Sequence, residues 1–171
     1  MDNHDASTRF ISDETITAMK SDRIMLPDSD ERPLSLYTDG ASRRKSGEPK
    51  GPAAIAYAIY DLTGKIIEKD SKCIGIHTNN EAEYEAILWG IEKVRERRCS
   101  ALRVFSDSEL VVRQFTGEYG ANDERMAQYA RRVAANRQLF GSFEVVSVPR
   151  ENPRIKLVDS MVNEALDRLC E

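Results

Sequence analysis

Eight consecutive residues, Ala53 to Tyr60 (AAIAYAIY), set the strongest limit on what this chain can become. With no charged residue at either alternating position, a strand made of them must be covered on both faces, so it belongs inside a sheet with layers above and below. Its partners are close in sequence. Before it, Leu34, Leu36 and Thr38 alternate with Ser35, Tyr37 and Asp39 at the period of a strand. After it, Asp61 to Gly64 reads as a turn and Lys65 to Ile76 as a third extended run. Such short connections predict an antiparallel meander.

The period then changes. Asn80 to Arg98 reads as a helix capped by Asn79 or Asn80, with Ile87, Ile91 and Val94 on its buried face. Glu83 lies four residues before Ile87 and seven before Gly90, so it shares that face, whereas Glu81 and Glu85 are expected to point elsewhere. A carboxylate aimed at a core must be paired, neutralised or bound to a cation. Ala101 to Ser106 is a fourth strand, followed by a helix from Glu109 to Phe115 that Gly117 and Gly120 close. Asn122 or Asp123 opens a longer helix reaching about Phe140, Phe143 to Val148 is a fifth strand, and a last helix runs from about Lys156 to Cys170. The fold class is α/β.

A chain of 171 residues with 40% hydrophobic content supports one ordinary core. Residues 1–33 are polar and end in PDSDERP, so they read as an extension, in which Ser12 could cap a short helix through Lys20; residues 34–171 read as the domain. No run of eighteen apolar residues and no hydrophobic leader is visible, which predicts a soluble cytoplasmic protein without a membrane role. Cys73, Cys99 and Cys170 show no CxxC or Cys/His spacing, so they are expected as core or free thiols rather than a disulfide framework or a zinc site. With His4 and His77 as the only histidines, a mechanism needing several is excluded. The net charge of −4 belongs to the extension, where eight acids face four bases, leaving twenty-one of each in residues 34–171. Arg43, Arg44, Lys45 and Lys50 make the first loop locally basic, and Arg131, Arg132 and Arg137 add charge to a later helix. That placement permits phosphate binding and equally suits solvated surface.

Four acids occupy awkward positions. Asp39 stands where the first apolar run stops, before Gly40, although Asp-Gly is also a common turn. Glu83 is on a buried helix face. Asp107 follows the fourth strand, where Ser106 or Asp107 would equally serve as a helix cap. Asp159 is three residues before Val162 and seven before Leu166, on an apolar face, although a first-turn acid also suits the helix dipole. If the first and fourth strands are neighbours, these groups converge, and their repulsion calls for cations. Oxygen ligands alone favour magnesium or manganese, and two such ions about 4 Å apart serve in-line attack of water on a phosphodiester.

The order of elements, together with YTDGAS, TNNEAEYEAIL, FSDSELVVRQ and VDSMVNEAL, resembles the type 1 ribonuclease H family over residues 34–171. The resemblance implies a ribonuclease H-like fold with a five-stranded mixed sheet, three antiparallel strands then two parallel, flanked by helices. It implies endonucleolytic hydrolysis of the RNA strand of RNA/DNA hybrids, leaving 5′-phosphate and 3′-hydroxyl ends. Asp39, Glu83, Asp107 and Asp159 match the family's catalytic, metal-binding acids, with two Mg2+ ions per site and Mn2+ as a substitute. One ion would be held by Asp39 and Asp159, the other by Asp39, Glu83 and Asp107. Asn79 and Asn80 match residues that recognise the 2′-hydroxyls of RNA, and Gly40, Ala41 and Ser42 match backbone that approaches the cut strand. Thr78 and Ser108 are candidate phosphate or sugar contacts. The implied partner is the RNA/DNA hybrid; no obligate protein partner is evident, and the chain's size and even composition make a monomer the expectation.

This chain departs from the family pattern in three ways. The loop GASRRKSGEPKGP is long, and its Arg43 and Arg44 could compensate for a basic protrusion missing between Asp107 and Phe143. No histidine precedes the last helix; Arg150 or Arg154 could substitute for it. ENPRIKLVD holds Asp159 farther from Asn152 than the common spacing does. Two alternatives stand beside the endonuclease: a catalytically silent module that binds nucleic acid, and another metal-dependent nuclease of the same fold. An exonuclease of that kind would carry Asp-x-Glu on the first strand, and Asp39 is followed by Gly40 and Ala41.

Overall fold

A computed structural model describes residues 33–117 and 123–169. The helix expected at Ser12 to Lys20, the rest of the extension to residue 32, and Gly120, Asn122 and Cys170 lie outside the described residues. Strands β1 (Leu34–Ser42), β2 (Gly51–Tyr60) and β3 (Ile66–His77) form the meander, followed by helix α1 (Asn79–Arg95) and strand β4 (Ala101–Ser106). Helices α2 (Glu109–Thr116) and α3 (Glu124–Ala135) come next, with a 3-10 turn at Asn136–Leu139, then β5 (Ser142–Ser147) and α4 (Pro153–Leu169). The sheet order is β3-β2-β1-β4-β5: β1/β2 and β2/β3 are antiparallel, β1/β4 and β4/β5 parallel. This is the expected mixed sheet.

The run that constrained the sequence behaves as its composition demands. Every residue from Ala53 to Tyr60 is buried. Tyr57 and Ile59 pack with Leu34 and Leu36 of β1 against Tyr84, Ile87 and Ile91 of α1. Ala54, Ala56, Ala58 and Tyr60 pack with Tyr37 on the other face, against Ile155, Val158 and Val162 of α4. The alternation of β2 thus assigns one helix to each side of the sheet.

Two glycines bring α1 down onto β1. A Cβ on Gly40 would fall on the carbonyl oxygen of Ala82, and one on Gly90 would sit 2.7 Å from Leu36 Cδ1. Gly40 therefore serves a close approach rather than the turn expected of Asp39-Gly40. β1 runs on to Ser42, and Asp39 pairs in register with Ala56 inside the strand, not at its end.

Helix starts differ from expectation in an instructive way. Thr78, not Asn79 or Asn80, caps α1: its side chain accepts from Glu81 N while Glu81 accepts from Thr78 N, a reciprocal capping box. Ser108, not Ser106 or Asp107, caps α2 by accepting from Val111 N. Asn152 Oδ1 accepts from the N–H groups of Arg154 and Ile155, so α4 begins at Pro153, three residues earlier than expected. Asp159 consequently sits in the second turn, beyond the dipole's main reach. Among the cysteines, Cys99 is a free buried thiol as expected, but Cys73 is disulfide-bonded, against the reading of three core or free thiols. Among the described residues no helix is long and apolar enough to cross a membrane.

Candidate active site

Parallel pairing of β1 with β4 ends at Tyr37↔Phe105, whose rings stack at 4.6 Å. Two residues further along each chain come Asp39 and Asp107, on the same side of the sheet by alternation, where β4 has ended and β1 continues beside β2. Such a parting of strands is where α/β sheets open a crevice. Glu83 enters from above, because the Gly40 contact with Ala82 holds the first turn of α1 against the strand.

The three carboxylates share one spot. Asp39, Glu83 and Asp107 each offer an oxygen, and these oxygens lie within 4.8 Å of one another. Asp39 is 5% exposed and Glu83 6%. Asp39 Oδ2, Glu83 Oε2 and Asp107 Oδ1 are buried and have no hydrogen-bond partner. Burial, reinforced by the charges of Asp107 and Asp159, pushes the Asp39 pKa up to about 7. Burial likewise raises Glu83 well above the carboxylate range, with Asp39 and Asp107 adding repulsion, while a backbone hydrogen bond from Gly40 opposes both shifts. Orphaned oxygens at this spacing could hold a hard divalent cation.

Asp159, the fourth candidate, lies outside that group of three but faces it electrostatically, since its charge raises Asp39. Arg150 Nε stands 3.3 Å from Asp107 Oδ2, and these charges hold its guanidinium more firmly protonated than usual. The two arginines proposed to replace a histidine are thus told apart. Arg154 does not reach the acids; its guanidinium lies 4.2 Å from the centre of the Tyr60 ring and 5.4 Å from that of Tyr37.

Beside the acids lies a cleft of about 560 Å3, lined by Ser42, Arg44, Thr78, Asn79, Asn80 and Glu81 among others. It gathers most of the expected substrate contacts. Ser42 N donates to Asn79 Oδ1, and Ser42 Oγ is anchored on the carbonyls of Gly51 and His77. Gly40 and Ala41 continue β1 between the acids and this cleft. Ser108 is occupied as the α2 cap. Arg43, expected to face substrate with Arg44, is instead paired with Asp167 and donates to the Asn163 carbonyl, both on α4. No local signal marks that pairing, which joins residues far apart in sequence.

Glu81 is the group the sequence reading missed. Rather than pointing away, it is 2% exposed and takes part in the capping box, with Lys50 Nζ at 3.7 Å and Arg125 Nη1 at 3.1 Å from its Oε1. Helical spacing shows which side of α1 meets the sheet. It does not show that the β1–β2 loop and α3 cover another side.

Comparison with known proteins places this geometry. The profile of the family described as Reverse transcriptase-like matches residues 38–165. Ribonuclease HI of Halobacterium salinarum is 35% identical over 147 residues, covering 84% of this chain and 69% of that protein. The crystal structure of RNase H1 from Halobacterium salinarum superposes with a TM-score of 0.73 at 31% identity, covering 79% of this chain and 98% of that one. LC11-RNase H1, solved in complex with an RNA/DNA hybrid, superposes with a TM-score of 0.71 at 32% identity over 81% of this chain and 99% of that one.

Proposed function

Since this chain belongs to the type 1 ribonuclease H family and is a ribonuclease H, we propose that it is an endonuclease that cuts the RNA strand of RNA/DNA hybrids with two divalent ions, leaving 5′-phosphate and 3′-hydroxyl ends. The observation that carries this reading is the trio of carboxylates, two of them buried and each with an unpartnered oxygen, at the point where β1 and β4 part. Asp39, Glu83 and Asp107 would hold one ion, and Asp39 with Asp159 the other, with Mg2+ as the metal and Mn2+ as its substitute. Bound there, the ions supply Lewis acidity for water attack and for the departing oxygen.

The chain's own residues do the rest. The missing side chain of Gly40 makes room for the Ala82 carbonyl and so seats Glu83 beside Asp39, while the backbone of Gly40, Ala41 and Ser42 is the stretch of β1 that the cut strand would approach. Asn79, oriented by Ser42 N–H, presents an amide donor to a 2′-hydroxyl, and Asn80 lines the same cleft. Thr78 and Arg44 offer sugar or phosphate contacts there, with Ser108 near the β4 end. Arg150 holds Asp107 and would bring a permanent positive charge to the reacting phosphate, at the place where other members carry a histidine. The catalytic unit is residues 34–171, and the reading extends to a monomer acting in the cytoplasm.

The test is a Mg2+-dependent assay on end-labelled RNA in three forms: paired to DNA, paired to RNA, and single-stranded, with Asp107→Asn as control. Internal cuts confined to RNA paired with DNA, with 5′-phosphate products, are expected. Cutting from an end only, or equal cutting of all three substrates, would contradict the proposal.

A further inference from the structure

Helix α1 opens with two buried glutamates, and the acid cluster uses only Glu83. Glu81 caps the helix with Oε2, which accepts from Thr78 N at 3.2 Å, while Oε1 faces Lys50 and Arg125. A cap needs one oxygen. The second is committed to cations from two other segments: Lys50 ends the β1–β2 loop, and Arg125 lies in the first turn of α3. Their chain neighbours Pro49 and Met126 line the cleft that also holds Asn79, Asn80 and Arg44, and Glu81 is part of its lining. Both cations remain open to solvent, with side chains 40% and 51% exposed.

Resting on the hybrid-cleaving reading above, we propose that Glu81 is a positioning residue for substrate: it holds Lys50 and Arg125 on two margins of the cleft, where they take phosphates of the nucleic-acid strand lying across it. An unrestrained lysine or arginine loses rotamer freedom when it binds phosphate. Here that freedom is already lost on folding, so each cation meets the strand in place. The opposing effect is plain: removing the Glu81 charge alone lowers repulsion of a polyanion and would tighten binding. The sign of the affinity change therefore decides between a residue that arranges cations and one that merely neutralises them.

The experiment is steady-state cleavage of a labelled hybrid by the full chain, at several salt concentrations, with Glu81→Gln, Lys50→Ala, Arg125→Ala and their combinations. Glutamine keeps an acceptor for the Thr78 N–H, so the cap and fold persist, which a melting curve checks. For Glu81→Gln, KM should rise about tenfold with kcat within about twofold of wild type, and the salt dependence of log KM should flatten by about one to two phosphate contacts. Lys50→Ala and Arg125→Ala should each raise KM in the wild-type background and change it little once Glu81 is glutamine. Glu144→Gln, which removes a charge from the Arg103 pair on the sheet's far edge, should leave KM unchanged. A KM unmoved or lowered in Glu81→Gln, or a fall in kcat alone, overturns this inference while leaving the nuclease reading intact. A wild type that cuts no hybrid overturns both.

Discussion

Glu81 and Glu83 stand two residues apart on α1, both almost wholly buried, yet they occupy opposite electrostatic surroundings. Around Glu81 the fold supplies a backbone N–H, an ammonium and a guanidinium. Around Glu83 it supplies two more carboxylates and leaves Oε2 without a partner. Burial alone therefore does not mark a candidate metal ligand; burial among like charges does, because a fold has no structural reason to collect repelling groups that it then fails to pair.

The difference predicts opposite responses to neutralisation. Asp107→Asn should lower kcat on a hybrid by on the order of a thousandfold, the scale for losing one preorganised charge at a reacting centre. Asp39→Asn and Glu83→Gln should do the same while raising the melting temperature of the metal-free protein, since each relieves repulsion. Glu81→Ala should lower that temperature: the lost cap and half-exposed, partly screened ion pairs amount to about 1–2 kcal/mol. Melting curves of the four variants without metal, compared with wild type, test the contrast.

Stability should also fall as pH rises. The folded protein keeps the Asp39 proton to about pH 7, whereas the unfolded chain releases it near its ordinary value of 3.8. Between those values the folded state binds more protons than the unfolded state, so unfolding releases them and becomes easier with rising pH. Glu83 shifts in the same direction. Denaturant titrations of metal-free protein should lose a few kcal/mol across this window. Asp39→Asn should flatten the slope.

A smaller lever acts on geometry alone. Gly40→Ala forces a methyl group into the Ala82 carbonyl and must lift the first turn of α1, costing about 1–3 kcal/mol and displacing Glu83 from Asp39. Gly90→Ala crowds the buried Leu36 side chain, and the gain in helix propensity offsets part of that overpacking, so the net cost should be smaller, about 1 kcal/mol, with kcat retained. Thermal melts with cleavage rates separate the two substitutions.

Much of this arrangement is legible in the chain because it rests on short-range periodicity. AAIAYAIY shows a central strand, and Ile87, Ile91 and Val94 show which side of α1 meets it, which brings Glu83 inward. What the residues hide is local preference overruled by partners far away. Asp39-Gly40 reads as a turn, yet pairing with Ala56 extends the strand through it. Asn79 and Asn80 are both good caps, but the reciprocal bonds between Thr78 and Glu81 outbid them. Asn152 followed by Pro153 carries a helix-start signal, and overlooking it left Asp159 readable as a first-turn acid. Arg43 on Asp167 and Glu81 beneath Lys50 and Arg125 are set by packing between distant segments, to which no window of sequence gives access.

Metal-dependent stabilisation addresses the acid cluster most directly. Melting temperatures of wild type, Asp39→Asn and Glu81→Gln are measured with and without Mg2+ at pH 8, where the acids repel most. The wild type and Glu81→Gln should gain stability with the ion, and Asp39→Asn should gain little. Equal gains in all three, or none in the wild type, would contradict a cation site built from these carboxylates.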